Sequence, residues 1–163
     1  MRSDPEIHAF LLKHLKAIQE NDLATYHATT SEELTLYEWW ITPHRLDGLP
    51  FHDYMMTENA RRGTVFGAEN GVTNESDSNS VSEGHPVSEA PHTRFDLANL
   101  HIQRYGDAAI ASYTLLISTG TLAGVQVAAH NESRMMVKIN GEWQVVHVHK
   151  SPSWPAPHIQ PDS

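Results

Sequence analysis

The sequence predicts an α+β domain, and three observations carry the prediction. Apolar residues recur at helical spacing near the N-terminus. Four strand-like runs follow one another from Thr93 onward. Two of the joints between those runs are the tight-turn pairs Gly106-Asp107 and Asn140-Gly141, the second being the strongest short hairpin signal. Helices first and an antiparallel meander after them argue for helices packed on one face of a curved sheet.

The elements follow in order. Ile7, Phe10, Leu11, Leu15 and Ile18 share one helical face. Ser3 or Asp4 caps this helix, and Pro5 and Glu6 suit its first turn. Asn21-Asp22 ends it and opens a short second helix to about Thr29, with Leu23 and Tyr26 buried. Glu33 to Trp40 has strand character, and the stretch with Pro43, Gly48 and Pro50 reads as a turn. Phe51 to Arg62 reads as a third helix burying Phe51, Tyr54, Met55 and Met56. Residues 64–92 are rich in Gly, Ser, Asn and Glu and bury too little apolar surface to offset their ordering entropy, so a mobile insertion is expected there. A proline-rich tail is expected over 151–163. The whole, residues 1–163, is expected to be one domain.

Composition narrows the function. Twenty acidic against 11 basic residues give a net charge of −9, which disfavours nucleic acid as a partner because such binding rests on phosphate neutralisation. No apolar run approaches the ~18 residues of a membrane span, and the acids and lysines of the first helix do not fit a signal peptide. The chain has no cysteine, so disulfides, thiolate metal sites and a cysteine nucleophile are excluded. A cytoplasmic location is the expectation that goes with these features, and no cofactor is expected.

Geometry can be counted from the Asn140-Gly141 turn. Pairing Ile139 with Glu142 puts Met136 opposite Val145, Arg134 opposite His147 and Glu132 opposite His149. One face then carries Glu132, Arg134, Met136, Val145, His147 and His149. The other carries Ser133, Met135, Val137, Ile139, Val146, Val148 and Lys150, and this more apolar face is expected to pack on something dry. His147 and His149, about 7 Å apart on one strand, form a weak candidate metal site with His130 and Glu132. Arg134 beside them would repel a cation. Arg134 itself needs a partner if buried: Glu132, Glu142, an acid from the helices, or a ligand.

The run "GEWQVVHVHKSPSWPAP" closely resembles the final strand of the association (hub) domain of calcium/calmodulin-dependent protein kinase II. "DGLPFHDYMMTEN", "NLHIQRYGDAAIASY" and "NESRMM" resemble that family's helix, hairpin and adjacent strand, in the same order. The resemblance implies the cone-shaped nuclear transport factor 2-like fold. It also implies self-association into dimers or higher rings, and a pocket that accepts a small carboxylate. No kinase catalytic domain lies in this sequence, so a stand-alone hub-like protein is expected. Carried over by position, the pocket residues are His52, Arg134 and Lys150. One arginine of the family is missing near Thr114 or Leu115. Tyr54 and Tyr113 are candidate hydroxyl donors, Tyr37 another, and Trp39 a candidate wall. The same superfamily holds isomerases, dehydratases and SnoaL-like cyclases, so the alternative is a small cofactor-independent enzyme with His52 as acid/base. Against it, no Asp or Glu base is evident for the pocket. The family analogy also conflicts with strict alternation, which puts Arg134 and Lys150 on opposite faces. A β-bulge between Val146 and Lys150 is therefore expected.

Overall fold

The computed structural model of the chain describes residues 4–63 and 92–153, with His92 described as backbone only. The expected insertion up to Pro91, and the tail from Trp154, lie outside the described residues. The elements run α1 (Pro5–Gln19), α2 (Leu23–Ala28), β1 (Thr30–Tyr37), β2 (Leu46–Asp47), α3 (Pro50–Arg62), β3 (His92–Tyr105), β4 (Ala108–Thr121), β5 (Gly124–Ile139) and β6 (Glu142–Pro152). The final strand thus takes up Ser151 and Pro152 from the expected tail. Among the described residues no helix is long and apolar enough to cross a membrane.

Local chemistry sets the boundaries. Asp4 caps α1 by accepting from the Ile7 amide at 3.0 Å, and Asp22 caps α2 by accepting from the Thr25 amide at 3.1 Å. Each such cap is worth ~1 kcal/mol. Asn140 (φ 51°) and Gly141 (φ 82°) are both left-handed, as the expected two-residue hairpin turn requires. β1 begins and ends earlier than the sequence suggests. The chain turns back after Glu38, whose carbonyl accepts from the Ile41 and Thr42 amides at 3.0 and 3.2 Å. The expected turn region before α3 also contributes a short strand, β2, which pairs antiparallel with β1.

The described strands form one six-stranded sheet in the order β2-β1-β6-β5-β4-β3. β3 to β6 are the expected antiparallel meander, and β1 joins β6 in parallel. The inner face is read from burial: Ala109, Ala111, Tyr113, Leu115 and Ile117 on β4, Met136 on β5, and Trp143, Val145 and Val148 on β6. They form one core with Ile7, Leu11, Leu15 and Ile18 of α1, Tyr26 of α2 and Met56 of α3.

Two expectations are corrected here. First, α3 buries His52, Met56 and Asn59, which recur at i, i+4 and i+7. Phe51 and Met55 are only half-buried, and Tyr54, two residues past His52 and so on the far side of the helix, is 64% exposed. Second, the β5–β6 register slips by one residue. Met136 faces Val145 as counted, but Met135 faces His147, Arg134 faces Val148 and Glu132 faces Lys150. Val146 is the extra residue of a bulge. The expected irregularity is there, at the N-terminal limit of its expected range. Past it, Val148 and Lys150 point inward and His147 and His149 outward. The face expected to be dry is therefore split: Val148 and Lys150 lie inside, while its β5 residues lie on the outer face, with Met135 43% and Ile139 40% exposed. The face bearing Glu132 and Arg134 is the one packed under the helices, because its charges satisfy one another.

Candidate functional site

The inner face of β5 carries His130, Glu132, Arg134 and Met136 in strict alternation, all buried. Their direct cross-strand partners on β4 are Leu115, Tyr113, Ala111 and Ala109. The bulge brings Lys150 of β6 opposite Glu132. From the other side, α1 contributes His14, α2 Tyr26 and α3 His52, all buried. Glu38 follows β1 and continues the inward alternation of Leu34 and Leu36, with no solvent exposure.

These groups form one polar network in an apolar shell. Glu132 is its centre. Its carboxylate accepts from Tyr113 Oη at 2.5 Å, from His130 Nε2 at 2.8 Å and from Arg134 Nε at 3.2 Å, with Lys150 Nζ at 3.7 Å. Arg134 also donates from Nε to Tyr113 Oη at 2.7 Å and from Nη1 to His14 Nε2 at 2.9 Å. A guanidinium only donates, so His14 Nε2 must be the unprotonated nitrogen. Its Nδ1–H then donates to Thr29 Oγ1 at 2.9 Å, and that hydroxyl donates on to the Thr25 carbonyl at 2.8 Å. Lys150 Nζ lies 2.7 Å from Glu38 Oε1 and 5.1 Å from the centre of the Trp40 ring. His52 Nδ1 bonds to Tyr26 Oη, while its Nε2 lies 3.5 Å from Glu38 Oε1.

Burial and charge set the protonation states. Burial holds His14 well below the ordinary imidazole range, and Arg134 beside it pushes the same way. Burial also lowers His52, although the neighbouring Glu38 opposes it. Burial works to raise Glu132, but Arg134 and Lys150 outweigh it and keep the carboxyl well below its usual range. Glu38 shows the same balance: burial raises, Lys150 and His52 lower, and the result lies below the ordinary value. Tyr113 is pushed up by burial and stays a hydroxyl donor.

Beside the network lies a cavity of about 40 Å³. Its polar wall is His130, Glu132, Arg134 and Lys150, and its apolar wall includes Trp40, Phe95, Leu115 and Ile117. Glu38 and His52 do not line it; Glu38 contacts Lys150, which does.

The structure thus brings together His52, Arg134, Lys150 and Tyr113 among the expected residues. Tyr54 lies outside the cluster. Trp39 is 39% exposed and stacks edge-on against Trp40, which takes the wall position instead. His130 points inward, whereas His147 and His149 point outward with Tyr37, whose ring lies 6.3 and 5.3 Å from theirs. The three histidines do not converge on one point, and His147 Nδ1 is bonded to Thr35 Oγ1 at 2.7 Å. Among the described residues no group of three or more metal-ligating side chains is assembled.

Sequence reasoning missed Glu38, His14 and Tyr26 as members of the cluster. It named Glu132 as one possible partner of Arg134 but no acidic base for the pocket; the structure pairs Arg134 with Glu132 and adds Glu38 beside Lys150. The signals were present in the alternation Leu34-Leu36-Glu38 and in the place of His14 on the apolar stripe of α1. Asp53 pairs with His27 at 2.6 Å near the surface. Asp47 and Asp96 pair with Arg45 and Arg94 at exposed positions.

Comparison with known proteins agrees with this architecture. A model of the calcium/calmodulin dependent protein kinase II association domain matches residues 3–66 and 87–154. The hub homology domain of that kinase from C. reinhardtii superposes with a TM-score of 0.70 at 23% identity, covering 94% of this chain and 100% of the other. The association domain of the C. elegans kinase gives 0.64 at 22% identity, over 90% and 92%. A putative ketosteroid isomerase from Shewanella frigidimarina gives 0.61 at 14% identity, over 91% and 96%. At such identities these structures speak to the fold, which is nuclear transport factor 2-like. No curated protein matches the chain. The family match spans most of the sequence, and the chain belongs to the calcium/calmodulin-dependent protein kinase II association-domain family.

Proposed function

We propose that the chain is a hub-like module that associates with copies of itself through the outer face of its sheet and holds a small carboxylate in the cavity beside Lys150. The observation that carries the association is the outer face of β1, β6 and β5. Tyr37, His147, His149 and Met135 are cross-strand neighbours there, with Tyr37 36% and Met135 43% exposed. An apolar and aromatic patch of this kind on the open side of a sheet marks an interaction surface. The carboxylate reading rests on Arg134 and Lys150, which share the inner face and line the same cavity. Light scattering on the pure protein tests the association: the expected result is a dimer or a larger closed assembly, and a monomer at micromolar concentration sinks it.

A second reading, a small isomerase or dehydratase, is favoured by one observation. His52 stands between a phenol, Tyr26, and a carboxylate, Glu38, in a water-poor interior, an arrangement able to move a proton. His52 does not itself line the cavity; Glu38, which touches both His52 and the cavity-lining Lys150, links them. Deuterium exchange at the α-carbon of a small ketone, catalysed by the protein and lost in His52→Ala, supports this reading. Exchange at the buffer rate counts against it.

A further inference from the structure

The cavity's charges are already balanced. Among the described residues the buried charged groups are Arg134 and Lys150 on one side and Glu38 and Glu132 on the other. Each cation has a carboxylate in contact: Arg134 with Glu132 at 3.2 Å, and Lys150 with Glu38 at 2.7 Å. Of the buried histidines, His130 gives Glu132 a hydrogen bond at 2.8 Å that a neutral ring can supply, and the other two add no charge. His14 accepts from Arg134 and is therefore neutral, and His52 is fully enclosed. A carboxylate entering this space makes a third anion against two cations. In a low-dielectric interior an unbalanced charge is strongly unfavourable. A site meant only to hold an anion would carry excess positive charge, and this one does not.

We propose that a small monocarboxylate enters the cavity together with one proton, with Glu38 as the built-in counter-anion that imposes the requirement. The inference rests on the carboxylate reading above. The proton is held on the His52–Glu38 pair, whose facing atoms lie 3.5 Å apart. Among the described residues, the titratable groups facing that pair and the cavity are His14 of α1, Tyr26 of α2, Tyr113 of β4, His130, Glu132 and Arg134 of β5, and Lys150 of β6. Lys150 is the hinge of the coupling. As its ammonium turns toward the ligand it leaves Glu38, and a proton shared by Glu38 and His52 replaces it. Glu38 Oε2 is buried with no hydrogen-bond partner among the described residues, so it has capacity to accept. The cavity's ≈ 40 Å³ suits a group of a few heavy atoms, since one water needs roughly 10–15 Å³ by the same measure.

The test is calorimetric titration of the full chain with acetate between about pH 6 and 8, in two buffers of different ionisation enthalpy. Coupling predicts uptake of about one proton per acetate and a Kd that rises about tenfold per pH unit. Glu38→Gln removes one carboxylate and keeps the shape. In that variant uptake should vanish, and acetate should bind more tightly near pH 8 with no pH dependence. Acetate binding to the natural protein without proton uptake, or uptake retained in a folded Glu38→Gln variant, overturns the coupling alone. If that variant does not fold, uptake by the natural protein decides the matter. No acetate binding at any pH overturns the coupling and the carboxylate reading together.

Discussion

Glu132 stands directly across from Lys150 in the β5–β6 pair, and both side chains point into the core. That relationship exists because the ladder skips Val146. Counting Val146 as an ordinary rung puts His149 opposite Glu132 and turns Lys150 outward. The bulge thus places a second cation in the cluster and removes two histidines from it. A bulge of this kind adjusts side-chain phase without breaking the sheet.

The bulge makes a paired prediction. Deleting Val146 leaves a regular ladder in which Arg134 still faces Val148 and Glu132 still faces Lys150. The variant should fold, with a loss of at most about 2 kcal/mol. Inserting one alanine between Val148 and His149 instead moves His149 inward and Lys150 outward. Glu38 then loses its close cation, and the expected cost is ~3–5 kcal/mol. Urea denaturation of both variants checks the contrast. Equal losses would mean that phase at Val146 does not govern the site.

Arg134 is built into the fold as much as into the cavity wall. It contacts Glu132, Tyr113 and His14, all buried. Arg134→Ala leaves Glu132 with a weakened counter-charge and His14 with an orphaned acceptor, so a loss of ~3–5 kcal/mol is expected. The double variant Arg134→Met with Glu132→Leu removes one charge of each sign and leaves Lys150 paired with Glu38. It should recover at least half of that loss. A double-mutant cycle measured by urea unfolding supplies the test, and purely additive losses would argue against the pairing.

These two cases show what could be read from the sequence. Helix starts, the hairpin turns and the strand run follow from local signals: caps, Asn-Gly, alternation. The expected cluster of His52, Arg134 and Lys150 is also present, and the resemblance to the association-domain family led to it. Phase was the weak point. A single skipped residue reverses inside and outside for every later residue, and nothing in "QVVHVHK" marks Val146 over its neighbours. The buried stripe of α3 failed for a related reason. Tyr54 is larger and more apolar than His52, but the helix turns inward whichever residues face its partners, and Glu38 and Tyr26 give His52 contacts there. Glu38 itself was overlooked because acids are seldom buried without a partner, and its partner lies 112 positions away on the last strand.

Acid should loosen the protein in a predictable window. His14 and His52 titrate near 6.5 when unfolded, and burial keeps both below that value in the fold. Above pH ~6.5 both states are neutral and the full stability is present. Below it the unfolded chain binds protons that the folded one refuses, so stability falls with pH. Between about pH 6.5 and 5.5 the two together should remove at most ~2 kcal/mol. Further down, Glu38 and Glu132 act with the same sign, because their folded values are also depressed. Urea midpoints at these pH values provide the measurement. His14→Gln, whose amide can both donate and accept, should halve the loss in the upper window, and a flat profile in the natural protein would contradict the buried neutral assignment.

Association through the outer face can be separated from folding by a change at Met135. Its side chain is 43% exposed, lies across from His147, and belongs to the patch that includes Tyr37. In the isolated subunit Met135→Glu faces solvent and should change stability by no more than ~0.5 kcal/mol. In an assembly that covers the patch, the same carboxylate is desolvated, which is strongly unfavourable. The mass by light scattering should then fall to that of one 18.3 kDa chain while the urea midpoint barely moves. Leu122→Glu is the control: Leu122 lies at the β4–β5 turn, 86% exposed and away from the patch. It should leave the assembly intact. If Met135→Glu also keeps the full mass, the subunits meet through some other surface.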